Sequence, residues 1–406
     1  MDRSDVIILG GGLVGLTLAI ALDAHGLTAT VIDPADPATQ LAAGFDGRAS
    51  AVASASRRML GAVGIADRLA GRGQPIATIR VSDGLTPQAL LFEPAPDDGA
   101  LGHMFENRQL RAALRDAALA APGVTLHMPA RAAAVERDPA GVRVSLGDGR
   151  VIAAPLLIAA EGRHSPTREA AGIKLARWRY DHEAIIGSLI HERPHDGVAH
   201  EIFYPAGPFA ILPLRDDAAG HHRSAIVWTV AARDGAALQA LPDRAFAAEA
   251  RARMGGLLGA IEPCSPRARY PLGFHHAATI TAERLALVGD AAHGIHPIAG
   301  QGLNLGFRDV AALVEVLVDG KRLGLDLGDA QLLDRYRRWR SLDTFLVAAA
   351  TDTLTRLFGL PGRAPAAVRR LGLGLVQRVA PLKERFMAEA RGESGALPLL
   401  LQGQTV

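Results

Sequence analysis

An α/β fold is predicted for this chain. It consists of a nucleotide-binding domain of parallel strands and helices, interrupted by a β-rich insert and followed by a helical C-terminal region. Three observations predict it. Near the N-terminus an apolar run, Asp5-Val-Ile-Ile-Leu9, leads straight into Gly10-Gly11-Gly12-Leu13-Val14-Gly15. Far along the chain a second buried run, Leu285 to Val288, ends in Gly289 and Asp290 and then a glycine-punctuated loop. Between them, from about 176 to 275, short apolar and aromatic runs alternate with turn residues, the texture of an antiparallel sheet.

The first element is a βαβ unit. Asp5 to Leu9 is continuously apolar after its first residue, as a central parallel strand requires. A helix of small and apolar residues spans Leu13 to His25 and stops at Gly26, and Thr28-Ala-Thr-Val-Ile-Asp33 is the next strand. In Gly10-x-Gly12-x-x-Gly15, the first glycine permits a tight turn and the second lets a pyrophosphate approach the backbone. The third lets helix and strand pack closely. Asp33, at the end of the second strand, suits ribose hydroxyls. No second fingerprint of this kind occurs; Gly372-Leu-Gly374 lacks a preceding strand and has Gln377 where a third glycine would stand. A separate nicotinamide-binding domain is therefore not expected.

Helices are expected at about 51–70 and 106–121, a hairpin turn at 139–149 and a buried strand at Pro155-Leu-Leu-Ile-Ala159. Glu161-Gly162-Arg163-x-Ser165-x-x-Arg168 follows that strand. Its arginines suit a phosphate, although Glu161 and Arg168 read equally well as a surface ion pair. Arg48 and Arg108 likewise read as surface arginines or as anion contacts. The insert carries strand-like runs at 184–191, 200–204, 209–214 and 224–230, then a helix at about 242–258. Phe203, Phe209, Leu212 and Trp228 are its candidate pocket walls, though each taken singly reads as ordinary core. The resulting domain division is 1–175 and 276–350 for the nucleotide-binding domain, 176–275 for the insert and 351–406 for the helical tail.

The loop after Leu285–Val288 leaves backbone N–H groups at a helix N-terminus near Gly302, where partial positive charge favours an anion or an electron-rich ring. Asp290, at the strand's C-terminal edge, can bind a polyol through two hydroxyls. A turn or helix-cap acid is the alternative reading. His293 and His296 lie three apart without cysteines or further acids, so no metal is expected. Together the two glycine segments suit one large dinucleotide.

Composition narrows the function classes. The 406 residues carry a net charge of only +2, so no nucleic-acid partner is expected. No apolar run approaches the roughly 18 residues of a membrane span, and no cleaved leader is expected. One cysteine, Cys264, allows no internal disulfide, and a cytoplasmic protein is the expectation.

These residues together resemble the flavoprotein aromatic hydroxylases of the p-hydroxybenzoate hydroxylase fold, and more closely the ubiquinone-biosynthesis hydroxylase family. The resemblance runs nearly end to end. It takes in the N-terminal glycines, Asp46-Gly-Arg48-Ala-Ser50, Asn107-Arg108-Gln109-Leu110 and Gly207-Pro-Phe-Ala-Ile-Leu-Pro-Leu214. It continues through Ser224-Ala-Ile-Val-Trp228, the block 284–309, and a tail with Tyr336, Arg340, Asp343, Phe358 and Pro381-Leu-Lys383. Glu161 departs from the more usual Asp, and Asp33 from the more frequent Glu.

The resemblance implies a Rossmann-like FAD-binding domain with FAD in an extended pose. Gly10, Gly12, Leu13, Val14 and Gly15 would face the pyrophosphate, and Asp33 the adenosine ribose. Arg48 and Arg108 would flank the phosphates and ribityl chain, and Val135 would be a further cofactor contact. Asp290 would hold the ribityl chain, and Gly300, Gly302, Leu303 and Asn304 would lie beside the pyrimidine edge. Pro297 and Gly300 would shape the flavin face; no acid or base is assigned. The implied activity is NAD(P)H-driven reduction of FAD, then reaction with O2 through a flavin C4a-hydroperoxide to hydroxylate a prenylated phenol. A flavin-dependent reductase of prenyl double bonds, or a non-catalytic flavin-binding subunit among other ubiquinone-biosynthesis proteins, are the alternatives. The stretch Arg369–Ala380 could lie on anionic lipid, pack against the rest of the protein or meet a partner in a biosynthetic complex.

Overall fold

The computed structural model describes residues 2–42, 47–95, 98–294, 300–341 and 363–406. At its centre, five parallel strands stand in the order Leu285–Leu287, Leu156–Ala159, Val6–Leu9, Ala29–Ile32 and Val124–His127, with Thr281–Ala282 antiparallel at the edge. Val6 to Ile8 and Leu156 to Ala159 have no measurable exposure, which is why these runs read as continuously apolar: helices cover both faces. The strand at 285 rejoins the sheet beside 156–159, so the domain is split in sequence and whole in space.

Helices Leu13–Asp23 and Gln301–Arg322 pack against each other over this sheet. The contact is close because Gly306 faces Val14: a Cβ on Gly306 would lie 2.7 Å from Val14 Cγ2. A four-stranded sheet (Asp2–Arg3, Val151–Ala154, Gly141–Leu146, Ala132–Asp138) flanks the core. A three-stranded one (Ala49–Ala53, Gly102–Glu106, Gln74–Ile76) carries the segment after Arg48.

The large sheet runs His293–Gly294, Ala268–Ala277, Leu175–His191, His222–Ala231, Gly207–Leu214, Val198–Tyr204, Thr78–Asp83 and Ala89–Phe92, with Ile261–Pro263 beside Leu175–His191. It takes in two strands from before residue 175 and joins the segment 293–294 that follows the Asp290 turn. Each strand alternates between two faces. One face, with Ile185, Ile202, Phe209, Ile226 and Trp228, is covered by helix Asp243–Met254 through Phe246, Ala250 and Met254. The other, with Ala199, Leu212, Leu214 and Ala225, meets Ala49, Ala51 and Met104 of the nucleotide-binding domain.

The C-terminal segment contains helices Arg363–Arg378 and Ala380–Ala390. It then returns to the first domain: Leu400 and Leu401 lie in its core, and the Arg58 Nε donates to the Leu401 carbonyl at 3.1 Å.

Candidate active site

The site is set by strand ends. In sheet order, Asp33, Gly10, Ala160-Glu161 and Gly289-Asp290 follow the carboxyl ends of four adjacent parallel strands. With about 4.8 Å between strands, they spread over roughly 14 Å of the edge where open α/β sheets bind their ligands.

Gly10 has φ +106°, and a Cβ there would meet the Ala160 carbonyl oxygen at 2.3 Å. A Cβ on Gly15 would meet the Gly10 carbonyl at 1.9 Å. Both glycines are therefore demanded by backbone contact between the first turn and its neighbouring strand. Gly12 is different. It is exposed, nothing lies within 4 Å of its missing Cβ, and it begins helix Leu13–Asp23 with no side-chain cap. That leaves a bare helix N-terminus at the strand edge, a fit for an anionic group. Asp33 braces this turn: its carboxylate accepts from Gly11 N–H at 2.6 Å and from Ala35 N–H at 2.7 Å. Ala130 N–H in turn donates to the Asp33 carbonyl, leading into the strand that holds the 38% exposed Val135.

The second half of the site is built around a buried acid. Asp309, on helix Gln301–Arg322, is 1% exposed. One of its oxygens accepts from Gly289 N–H at 2.9 Å and from His293 Nε2 at 2.6 Å, and the other from Arg340 Nε at 2.7 Å. Burial alone would raise this carboxyl, but His293 and Arg340 hold it below the usual carboxylate range. The Tyr336 hydroxyl donates to the Leu287 carbonyl at 2.8 Å, fixing the same strand end. Asp290 itself is exposed, in the turn Gly289–Ala291. Its carbonyl accepts from His275 Nε2 at 2.8 Å, so the proton sits on that nitrogen of the histidine.

Val14 joins the two halves. A Cβ on Gly289 would lie 3.2 Å from its Cγ2, so the fingerprint and the Asp290 turn touch through a single side chain. Arg168 ties in the third loop. Only 1% exposed, its Nη1 donates to the carbonyls of Arg163 and Ala291 at 3.0 and 3.1 Å. Neither sequence reading of Arg168 holds, as it is a buried staple and makes no pair with Glu161. Glu161 instead accepts from Ser165 Oγ at 2.6 Å and Thr167 N–H at 3.2 Å, capping helix Pro166–Ala170.

Arg48 and Arg163 are both exposed, and both pull down the Tyr270 hydroxyl that burial pushes up. Two distant arginine motifs thus converge beside one tyrosine. Arg108 is exposed, and its Nε donates to the Leu41 carbonyl at 2.7 Å.

Gly300, with φ +64°, precedes helix Gln301–Arg322 without a side-chain cap, and its missing Cβ would lie 3.2 Å from Ala51. Gly302 and Leu303 are half-buried in the first turn. The Asn304 side chain is engaged within the protein. Its oxygen accepts from Ala53 N–H and Ser56 Oγ, each at 2.9 Å, and its amide donates to the carbonyls of Ala51 at 3.0 Å and Gly300 at 3.3 Å. It clamps the loop to strand Ala49–Ala53. Pro297 and His296 lie outside the described residues, as do Asp46, Asp343 and Phe358.

The expected pocket walls divide between faces. Phe209 and Trp228 pack toward Phe246 in the helix-covered core as tilted ring pairs, with centroids 5.5 Å apart for the first pair and 5.6 Å for Trp228 and Phe246. They are removed from the strand-edge loops by the thickness of the sheet, a correction to their reading as pocket walls. Leu212 lies on the opposite face with Ala49 and Ala51, and Phe203 packs with Val81 and Leu373. Strand alternation made this distinction available from sequence, but which parity faced the flavin domain needed the packed helix.

Sequence reasoning missed Arg168 as a staple, and it missed Tyr270 and His275. The last two sit on a strand whose partner loops are more than a hundred residues away, or form part of the split domain. No local signal marks them.

The chain matches the family model described as "FAD binding domain" over residues 3–347. It is 48% identical over 389 residues to the ubiquinone hydroxylase UbiL of Rhodospirillum rubrum, covering 96% of this chain and 90% of that protein. It is 34% identical over 391 residues to the 3-demethoxyubiquinol 3-hydroxylase of Escherichia coli, covering 96% and 98%. Among solved structures, p-nitrophenol 4-monooxygenase PnpA from Pseudomonas putida DLL-E4 superposes with a TM-score of 0.80 at 17% identity, covering 98% of this chain and all of that one, a likeness of fold. A bare helix N-terminus at Gly12, a second at Gly300 and an exposed acid at the end of the adjoining strand fit the FAD that the family binds. With these matches the chain belongs to the FAD-binding monooxygenases, in the branch of the ubiquinone-biosynthesis hydroxylases.

Proposed function

We propose that this chain hydroxylates the aromatic ring of a prenylated phenol in ubiquinone biosynthesis, with FAD as bound cofactor, NAD(P)H as electron donor and O2 as oxygen source. The observation that carries the reading is the meeting, at Val14, of the glycine fingerprint and the Asp290 turn. One extended dinucleotide spans both. Gly10, Gly12, Leu13, Val14 and Gly15 would line its pyrophosphate. The carboxylate of Asp33 keeps lone pairs beyond its two backbone bonds for the adenosine ribose. Arg48 and Arg108 would flank phosphates and ribityl chain, Val135 would be a further cofactor contact, and Asp290 would meet the ribityl hydroxyls.

Bound FAD supplies the redox chemistry that moves oxygen to the ring. The protein's share is positioning, charge and exclusion of water. The uncapped N-terminus at Gly300, Gln301 and Gly302 would stabilise negative charge on the reduced ring by about 0.3–2 kcal/mol. At about 1.4 kcal/mol per unit, that moves a flavin proton's pKa by a unit or so at most.

The decisive test is isotopic. With 18O2, NAD(P)H and a prenylated phenol, the purified holoenzyme is expected to place one labelled atom in the product. A reductase of prenyl double bonds would consume no O2, and a non-catalytic flavin scaffold would show no phenol-stimulated NAD(P)H oxidation. Either result overturns the reading.

A prenylated substrate resides in a bilayer, and no helix among the described residues is long and apolar enough to cross one. Arg369 cannot meet lipid as first read, because it is buried and its Nη2 pairs with Asp83 at 3.2 Å. Leu373 and Val376 pack toward the sheet. Among the described side chains of this segment, the exposed large apolar ones are instead Leu375, Val379 and Phe386, at 57%, 38% and 39%, beside Arg378 and Arg385. This stripe is the proposed lipid contact. Holoenzyme is expected to float with anionic vesicles, and a Leu375→Glu, Val379→Glu, Phe386→Glu variant with full FAD content to stay behind. Equal flotation of both would remove the stripe from the proposal. Point changes are needed because a truncation before residue 363 would also strip Leu400 and Leu401 from the core.

A further inference from the structure

The face of the large sheet that meets the nucleotide-binding domain carries one buried acid with no assigned work, Glu201. It lies on strand Val198–Tyr204 between Ala199 and Phe203, on their side of the sheet. Its cross-strand neighbours are Val81 and Ala210, and the row continues through Val227 and Ile186, all apolar. Ala199, two residues away on the same face, packs with Leu212, Ala49 and Ala51, and Ala51 is the residue that Gly300 abuts. In the other direction Phe203 packs with Leu373, on the C-terminal helix Arg363–Arg378 that also bears the exposed Leu375. Glu201 therefore stands between the flavin-loop end of this face and the end nearest the proposed lipid contact.

The acid is 9% exposed and accepts no hydrogen bond from any described residue. Burial pushes its carboxyl up to about 8, so the neutral form prevails at neutral pH. The charged groups of the surrounding elements are otherwise engaged. Asp83, on the neighbouring strand, pairs with Arg369, and Arg80 and His200 lie on the opposite parity. Strand Gly207–Leu214 has no ionisable side chain, Arg223 pairs with Glu106, and Tyr270 lies near Arg48 and Arg163. The carboxyl oxygens keep a small contact with solvent and have no protein partner among the described residues, which leaves them open to a ligand. Val81, Leu212 and Val227 on this face keep partial exposure although Leu212 and Val227 lie on interior strands of the sheet, so the face is not packed shut.

We propose that Glu201 is the substrate-binding residue that hydrogen-bonds the ring hydroxyl of the phenol, fixing which ring edge meets the flavin while the tail runs past Phe203 toward Leu373. This rests on the hydroxylase reading above. A neutral carboxyl both donates and accepts, so it can hold a ring hydroxyl together with an adjacent oxygen substituent.

The test is a binding cycle on FAD-loaded protein, read by the perturbation of the flavin visible spectrum and so independent of turnover. The probes are 2-geranylphenol and its methyl ether. The wild-type chain is expected to prefer the phenol by about 10- to 100-fold in Kd, the range of a buried polar group left unpaired. Glu201→Leu should reduce that preference to about twofold, and Glu201→Gln should restore most of it. In turnover, Glu201→Leu should raise KM for the phenol and divert NAD(P)H oxidation from product to peroxide, with flavin content unchanged. Equal wild-type affinity for phenol and ether overturns the proposal whether or not any variant folds, as does an unchanged preference in Glu201→Leu. Failure of the hydroxylase reading is distinct: it appears as absent 18O in the wild-type product, whatever the binding cycle gives.

Discussion

Asp309→Ala is expected to unfold about 3–5 kcal/mol more easily than the parent chain and to be purified depleted in FAD. The carboxylate satisfies three donors at once, from Gly289, His293 and Arg340, in a place water does not reach. Its removal leaves a buried guanidinium without that counter-charge and a turn N–H without an acceptor, which costs more than the pair contributes when intact. The loss of flavin follows from position, because Gly289 directly precedes Asp290. Asp309→Asn keeps an acceptor for Gly289 N–H but loses the charge, so it should fall between the two. Urea unfolding and the flavin-to-protein absorbance ratio measure both effects.

The acid dependence has a defined sign. The folded-state pKa of Asp309 lies below its ordinary value of 3.8, so its contribution is complete above pH 3.8 and is lost as pH falls through the lower folded value. The variants should lose this part of the parent's stability decline below about pH 4. An Asp309→Ala protein with parental stability and full flavin would refute the account of the turn.

Asp290→Ala is expected to do the opposite to the fold and the same to the flavin. The side chain is exposed and makes no hydrogen bond to any described residue, so stability should stay within about 0.5 kcal/mol of the parent. On the proposed assignment it binds ribityl hydroxyls. Loss of a hydrogen bond to a charged group, about 1.5–3 kcal/mol, should weaken FAD binding on the order of 10- to 100-fold. The protein would be colourless or pale yet melt normally. Full flavination of Asp290→Ala would remove the residue from the cofactor site. The two acids are 19 positions apart, and between them they separate holding the turn from holding the ligand.

The N-terminal unit was legible because its constraints are local. A strand buried on both faces must be apolar throughout, and a turn in which Gly15 meets the Gly10 carbonyl admits only glycine. The Asp290 segment was legible for the same reason. Residues whose partners come from elsewhere were not. Arg168 looked like an anion contact or surface charge, yet it is buried against the Ala291 carbonyl, 123 positions away. Asn304 looked like a cofactor contact, but its amide is engaged by strand Ala49–Ala53. Phe209 and Trp228 had the right chemistry for a pocket but the wrong parity, because helix Asp243–Met254 claims their side of the sheet.

By itself the sequence determined the elements, their order and the two glycine-bearing strand ends, since each depends on residues within one or two turns of chain. It also carried the family, through motifs whose spacing is rigid. Tertiary structure alone decided that Val14 bridges those ends, that Asp309 anchors the second, and which face of the insert looks toward the flavin loop. Those outcomes depend on contacts between separate elements, from 16 positions apart for Asp309 and His293 to 275 for Val14 and Gly289, and side-chain alternation fixes two faces without saying which one another element will cover.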